Sequence, residues 1–144
     1  MNLAMESARA LDRHLRASPD DVSAAFTAFE AERKPNADAI ADMAVDNYLE
    51  MRAGVLDPDY LAKRALALAL EQRHPDRLSP RYNMVMFSTM PYAEARERSR
   101  TQADILTEVL AAGGDAALAD RLVSHLPTLP ELDPLAGTAA LSIR

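Results

Sequence analysis

Apolar residues recur at helical spacing along most of this chain, and turn-forming residues divide the pattern into segments. Ala4, Ala8, Leu11 and Leu15 predict a first helix over 3–16. The stretch "SPDDVSAAFTAFEAER" predicts a second, with Ser18 as N-cap, Pro19 at the first helical position, and Asp20 and Asp21 facing the positive end of the helix dipole. Val22, Phe26 and Phe29 form its apolar stripe. Pro35 lacks an amide donor and restricts Lys34, so a break is expected there, with Asn36 capping a restart. The restarted helix carries Ile40, Met43, Ala44, Tyr48 and Met51 on one stripe and is expected to end at Gly54. Asn47 lies in the middle of that stripe. Burying an unpaired amide costs roughly 1 to 3 kcal/mol, so Asn47 calls for a polar partner, either elsewhere in the protein or on a ligand.

Asp57 as cap and Pro58 just inside predict a helix through "DPDYLAKRALALALEQR", whose Leu and Ala cover more than one face, as for a helix flanked on two sides. The prolines of "HPDRLSPRY" mark a loop. Residues 82–88, "YNMVMFS", read as a short extended segment with Tyr82, Met84 and Met86 on one side and Asn83, Val85 and Phe87 on the other. A lone strand leaves its backbone groups unpaired, so the run is either a loop or needs a partner from another chain. Thr89 and Pro91 open a helix with a stripe of Ser99, Gln102, Ala103, Leu106 and Val109 or Leu110, which Gly113 and Gly114 stop. A shorter helix follows over 116–125, and the tail from 127 to 144 reads as irregular. The expected fold class is mainly α.

With 144 residues the chain is long enough for a core of its own, and its 49% hydrophobic and 26% charged content is that of a globular protein. A net charge of -6, with arginines scattered through helices, argues against nucleic acid as a partner. The absence of cysteine excludes disulfides, thiolate nucleophiles and cysteine-ligated metals. His14, His74 and His125 lack a second ligand at metal-site spacing. No Gly-x-Ser-x-Gly elbow occurs, and Gly54, Gly113, Gly114 and Gly137 build no phosphate loop. Charges at Glu6, Arg9, Asp12 and Arg13 interrupt what a signal peptide would keep apolar, and no stretch reaches the ~20 apolar residues of a membrane span, so a cytoplasmic protein is expected. Asp38, Asp42, Asp46 and Glu50 recur every four residues. The plain reading is a solvated face; the sharper one is an acidic rail meeting Arg96, Arg98 and Arg100 or a neighbouring domain.

Read together, "FEAERKPNADAIADMAVDNYLEMR", "DPDYLAKRALALALEQRHPDR" and "RYNMVMFSTMPYAEARERSRTQADIL" resemble, in order and spacing, the C-terminal third of the kynurenine 3-monooxygenase family of flavin-dependent aromatic hydroxylases. "MNLAMESARALDRHL" resembles the family's helix beneath the flavin, without the glycines before it and without the Gly-x-Gly-x-x-Gly region. The resemblance implies FAD and NADPH as cofactors, bound mainly by residues outside this sequence. It implies L-kynurenine or a related aromatic amino acid as substrate, hydroxylated to 3-hydroxykynurenine. By the same resemblance Asn47 and Tyr82 would hydrogen-bond the amino-acid end of the substrate, Met51 would pack against its ring, and Asn2 would sit by the flavin. Residues 1–17 would be a remnant of the FAD-binding domain, 18–126 the helical substrate-side domain, and 127–144 a tail. Such a chain is expected to be inactive without an FAD-binding portion or partner chain. The alternative is a free-standing helical interaction module with no catalytic activity. Apolar stripes that normally lie against a flavin domain would be exposed in the chain alone and favour self-association, so a homo-oligomer is a further expected state.

Overall fold

In the computed structural model, which describes residues 2–53 and 57–130, the chain is built from helices: α1 (Asn2–Ala17), α2 (Val22–Ala53), α3 (Pro58–Arg73), α4 (Arg81–Phe87), α5 (Tyr92–Ala111) and α6 (Ala116–Ser124). The mainly α expectation holds, and the boundaries carry three corrections. First, the cap of α2 is Asp21 rather than Ser18: its Oδ1 accepts the Ala24 amide at 2.9 Å, while Ser18 sits in the preceding turn.

Second, Pro35 does not break the chain. α2 is one helix of 32 residues with Pro35 inside it. α1 packs along α2, and so does α5, so tertiary contact outweighs the lost backbone bond. Asn36 caps no restart in α2. Its amide donates to the Glu32 carbonyl at 3.1 Å, and its Oδ1 accepts the Ala93 amide of α5, also at 3.1 Å. It thereby caps another helix, whose own N-cap, Pro91, has no side-chain acceptor. The expected stop at Gly54 lies outside the described residues.

Third, the segment expected to be extended over 82–88 is α4. The Met84 amide bonds to the Pro80 carbonyl at 3.2 Å, and Ser88 Oγ donates to the Met84 carbonyl at 2.5 Å. A helix pairs its backbone internally, so the unpartnered-strand problem disappears. The fully buried Met84 anchors the turn, and Tyr82 and Met86, one turn apart, stay exposed.

Helix α3 is capped as the sequence predicts, Asp57 accepting the Asp59 amide at 2.9 Å, but it is not flanked on two sides. Leu70 is its buried anchor, whereas Leu61 and Leu68 are exposed. Gly113 and Gly114 take φ of 75° and 80° and close α5, and Asp115 caps α6 through the Ala117 and Leu118 amides at 2.8 and 3.2 Å.

The largest apolar cluster joins Leu70 and Leu78 to Ile105 and Val109 of α5 and to Ala119 and Val123 of α6. A second joins Ala39 and Met43 of α2 to Tyr92, and a third holds Met84, Met90 and Ala95. Polar ties fix the helices around them. The Tyr92 hydroxyl donates to Glu6 at 2.7 Å, and burial, followed by the Glu6 hydrogen bond, pushes its pKa up to about 12. His74 pairs with Asp120 at 2.6 Å and Arg73 reaches the same carboxylate, so Asp120 is held below the usual carboxylate range, first by the His74 hydrogen bond. Among the described residues no helix is long and apolar enough to cross a membrane.

Candidate functional site

The α2 stripe leaves the core partway along. Met43 is buried, but Ala44, Asn47, Tyr48 and Met51 are exposed, so the amide at position 47 is not aimed into a sealed interior. It opens instead onto a concavity of about 670 Å³ formed by the C-terminal half of α2, by α3, by the Leu78–Ser79–Pro80 turn, and by α4 and α5. Asn47, Met51 and Tyr82 all line it, with Tyr60, Arg64 and Glu71 on the α3 side. Asn47 Nδ2 lies 3.6 Å from Met51 Sδ, a weak acceptor that leaves most of the amide's capacity for something else. Met51 is 69% and Tyr82 64% exposed, and the Tyr82 ring meets Phe87 edge to face at 5.9 Å. Burial raises the pKa of Glu71.

Arg81 brings Tyr82 to this place. From the first residue of α4 it reaches across to Glu50 at 3.2 Å and Asp46 at 3.8 Å, fixing the start of α4 against α2. The acidic row of α2 is therefore more than a solvated face. Asp42 takes Arg96 at 2.6 Å, as the sharper reading anticipated; Asp38 takes Lys34 at 2.5 Å within α2, and the last two carboxylates take Arg81. Arg98 turns away from the row, donating through Nη2 to the carbonyls of Arg77 at 2.6 Å and Pro127 at 2.5 Å.

A second, shallower concavity of about 520 Å³ lies between α2 and α5 and shares Glu50, Arg81, Gln102 and Leu106 with the first. Gln102 stands in the wall between the two. It is only 7% exposed, and its Nε2 is buried without a hydrogen-bond partner among the described residues. α5 buries Tyr92, Ala95, Arg98, Gln102, Ile105 and Val109, a stripe rotated from the expected one toward Arg98 and Ile105.

No protein-family profile matches the chain. Individual relatives do. The chain is 48% identical over 136 residues, 90% of its length, to the kynurenine 3-monooxygenase of Stenotrophomonas maltophilia (strain K279a). It is 42% identical over 137 residues, 95% of its length, to the enzymes of that name from Xanthomonas oryzae pv. oryzae (strain PXO99A) and Xanthomonas campestris pv. campestris (strain B100). The chain resembles the C-terminal part of kynurenine 3-monooxygenases. It spans 30% of the length of these relatives.

Of the residues that the kynurenine 3-monooxygenase resemblance picks out, Asn47, Met51 and Tyr82 meet at one concavity although they come from two helices. Asn2 is the first residue of α1, and the surroundings of its side chain lie outside the described structure. Sequence reasoning counted Gln102 as part of a core stripe and gave it no site role, although a polar residue inside an apolar stripe was the same signal that singled out Asn47. It also missed Arg81, whose role depends on α4 being helical. The adjacent amides of Gly113 and Gly114 are bonded to the carbonyls of Leu110 and Val109 at 3.0 and 2.9 Å, so this glycine pair is not free to cradle a phosphate.

Proposed function

We propose that this chain forms the substrate-side wall of a kynurenine 3-monooxygenase-like hydroxylase, and that it works with an FAD-binding portion supplied by further sequence or by a partner chain. The observation that carries this reading is the convergence of Asn47, Met51 and Tyr82 on one open concavity. On this reading residues 1–17 are the helix that lies against the flavin portion, 18–126 are the helical substrate-side domain, and 127–144 are a tail. The substrate is L-kynurenine or a close aromatic amino acid.

The chain's own residues bind and orient. The Asn47 amide and the Tyr82 hydroxyl hydrogen-bond the amino-acid end of the substrate, which fixes the direction in which the ring is presented. Met51, one turn from Asn47, lays a polarizable thioether against that ring. Arg81, by clamping α4 to α2, holds Tyr82 and Asn47 at a constant separation. The packed walls keep water from the reacting ring once the concavity is covered. FAD, reduced by NADPH, supplies the oxygen-transfer chemistry when bound, and its binding site lies on the partner portion.

Exposed apolar side chains on the helices that form the concavity support a covering partner. Val45, Tyr48 and Leu49 of α2, Leu61 and Leu68 of α3 and Met86 of α4 are large apolar residues left exposed, and Leu68 lines the concavity itself. A second reading, a free-standing helical module without activity, draws support from the three apolar clusters that the chain builds for itself. Size-exclusion chromatography with light scattering separates the two. The first reading expects the chain alone to self-associate, and to pass into a one-to-one complex when the remaining portion of the Stenotrophomonas maltophilia enzyme is added. A 15.7 kDa monomer that stays monomeric beside that portion would favour the module.

A further inference from the structure

Three polar residues of the two concavities, Arg96, Ser99 and Gln102, keep a buried side-chain atom without a hydrogen-bond partner among the described residues, and of these Gln102 alone also lines the larger concavity. A carboxamide carries two donors and an acceptor, and leaving such a group unpaired in a protein interior is unfavourable by roughly 1 to 3 kcal/mol. Core positions in the middle of a helix are ordinarily given to apolar residues, and the neighbours of Gln102 along the buried side of α5 include Ile105 and Val109. Yet its Nε2 meets no acceptor among the described residues, and the residue lines the same concavity as Asn47, Met51 and Tyr82. Rotation about the last side-chain torsion turns either end of the amide toward the cavity without moving the helix.

We infer that Gln102 is a substrate-contacting, specificity-determining residue, whose side-chain N–H donates to the ketone oxygen that joins the aromatic ring to the amino-acid chain of a kynurenine-type ligand. This rests on the reading of the concavity given above. That reading assigns the amino-acid end of the ligand to Asn47 and Tyr82 and the ring to Met51. The remaining strong acceptor is the ketone oxygen between them. One of its lone pairs faces the ring amino group of the ligand itself; the other is free for an outside donor. Gln102 lies on α5, a third helix beside α2 and α4 in the lining of the concavity, where a third contact fixes the rotation of the ring that two contacts at the amino-acid end leave open. Its neutral amide suits a neutral carbonyl, whereas the arginines of the wall, Arg64 and Arg81, suit carboxylates.

The test compares L-kynurenine with its analogue in which the ketone is reduced to a methylene, each titrated into the one-to-one complex of the ¹⁵N-labelled 144-residue chain with the unlabelled FAD-binding portion and followed by NMR at the side-chain amides. The wild-type chain is expected to bind the ketone form about tenfold more tightly, with the Gln102 amide signals moving, and Q102L is expected to bind the two forms within twofold. Q102E, close in shape but with a carboxylate in place of the donor, is expected to reverse the preference. Equal affinities in the wild type, stationary Gln102 signals on binding, or undiminished discrimination in Q102L or Q102E would each overturn the inference while leaving the substrate reading intact. Failure of both ligands to bind the wild type would overturn the substrate reading, and this inference with it.

Discussion

Replacing Arg98 by Met is expected to lower the unfolding free energy by about 3 kcal/mol, because hydrogen bonds from charged groups contribute roughly 1.5 to 3 kcal/mol each and two are lost together. The Arg98 guanidinium is buried, with the residue 7% exposed, and Nη2 ties the carbonyl of Arg77 in the α3–α4 turn to that of Pro127 after α6. Burial draws the pKa of the guanidinium down, yet an arginine stays charged, so the two carbonyls, together with the nearby Glu94 carboxylate, compensate its removal from water. Met fills most of the volume and supplies no donor, leaving both carbonyls without it. Urea denaturation followed by circular dichroism measures the loss. Arg98→Lys should recover part of it, since one ammonium cannot copy the geometry of a planar fork. A change within 0.5 kcal/mol for Arg98→Met would show that the tie between the α3–α4 turn and the segment after α6 is incidental.

The second large effect concerns the concavity. In a complex of this chain with an FAD-binding portion, Asn47→Ala and Tyr82→Phe are each expected to reduce kcat/KM for L-kynurenine by about 10- to 100-fold, the range that follows from removing one hydrogen bond to a charged ligand group. The two residues hold one end of one ligand, so the double variant should fall short of the product of the single losses. Both side chains are exposed in the chain alone, and neither substitution should shift its denaturation midpoint. Steady-state kinetics with bound FAD quantified in each variant separates loss of substrate contact from loss of assembly. Losses below threefold in both variants, with FAD retained, would remove them from the substrate site.

Helix content was legible because most of the apolar pattern is long and periodic, and because Asp57 with Pro58, and the Gly113–Gly114 pair, obey local rules of capping and termination. The errors occur where distant contacts decide. Pro35 reads as a stop, yet helix α2 continues because α1 and α5 pack along it. Asn36 reads as a cap and is one, but for a helix more than fifty residues later. Over 82–88 the apolar run is too short for its period to discriminate strand from helix, and Met84, packed with Met90 and Ala95, makes the choice. Asn47 was legible as an anomaly in a stripe, but its exposure was not, because periodicity gives a face and not the point at which that face leaves the core. Arg98 was hidden because a mid-helix charged residue becomes visible as buried only when the carbonyls around it are known; Gln102 was legible on the buried stripe of α5, but the cavity that it lines was not.

The central claim is that a reaction chamber is completed when this chain meets an FAD-binding portion. The most direct measurement is NADPH oxidation by the FAD-binding portion of the Stenotrophomonas maltophilia relative, recorded with and without this chain and with and without L-kynurenine, with 3-hydroxykynurenine quantified as product. Oxidation is expected to rise, and product to form, when both the chain and kynurenine are present. Folded components that give no product and no kynurenine-dependent oxidation when mixed would contradict it.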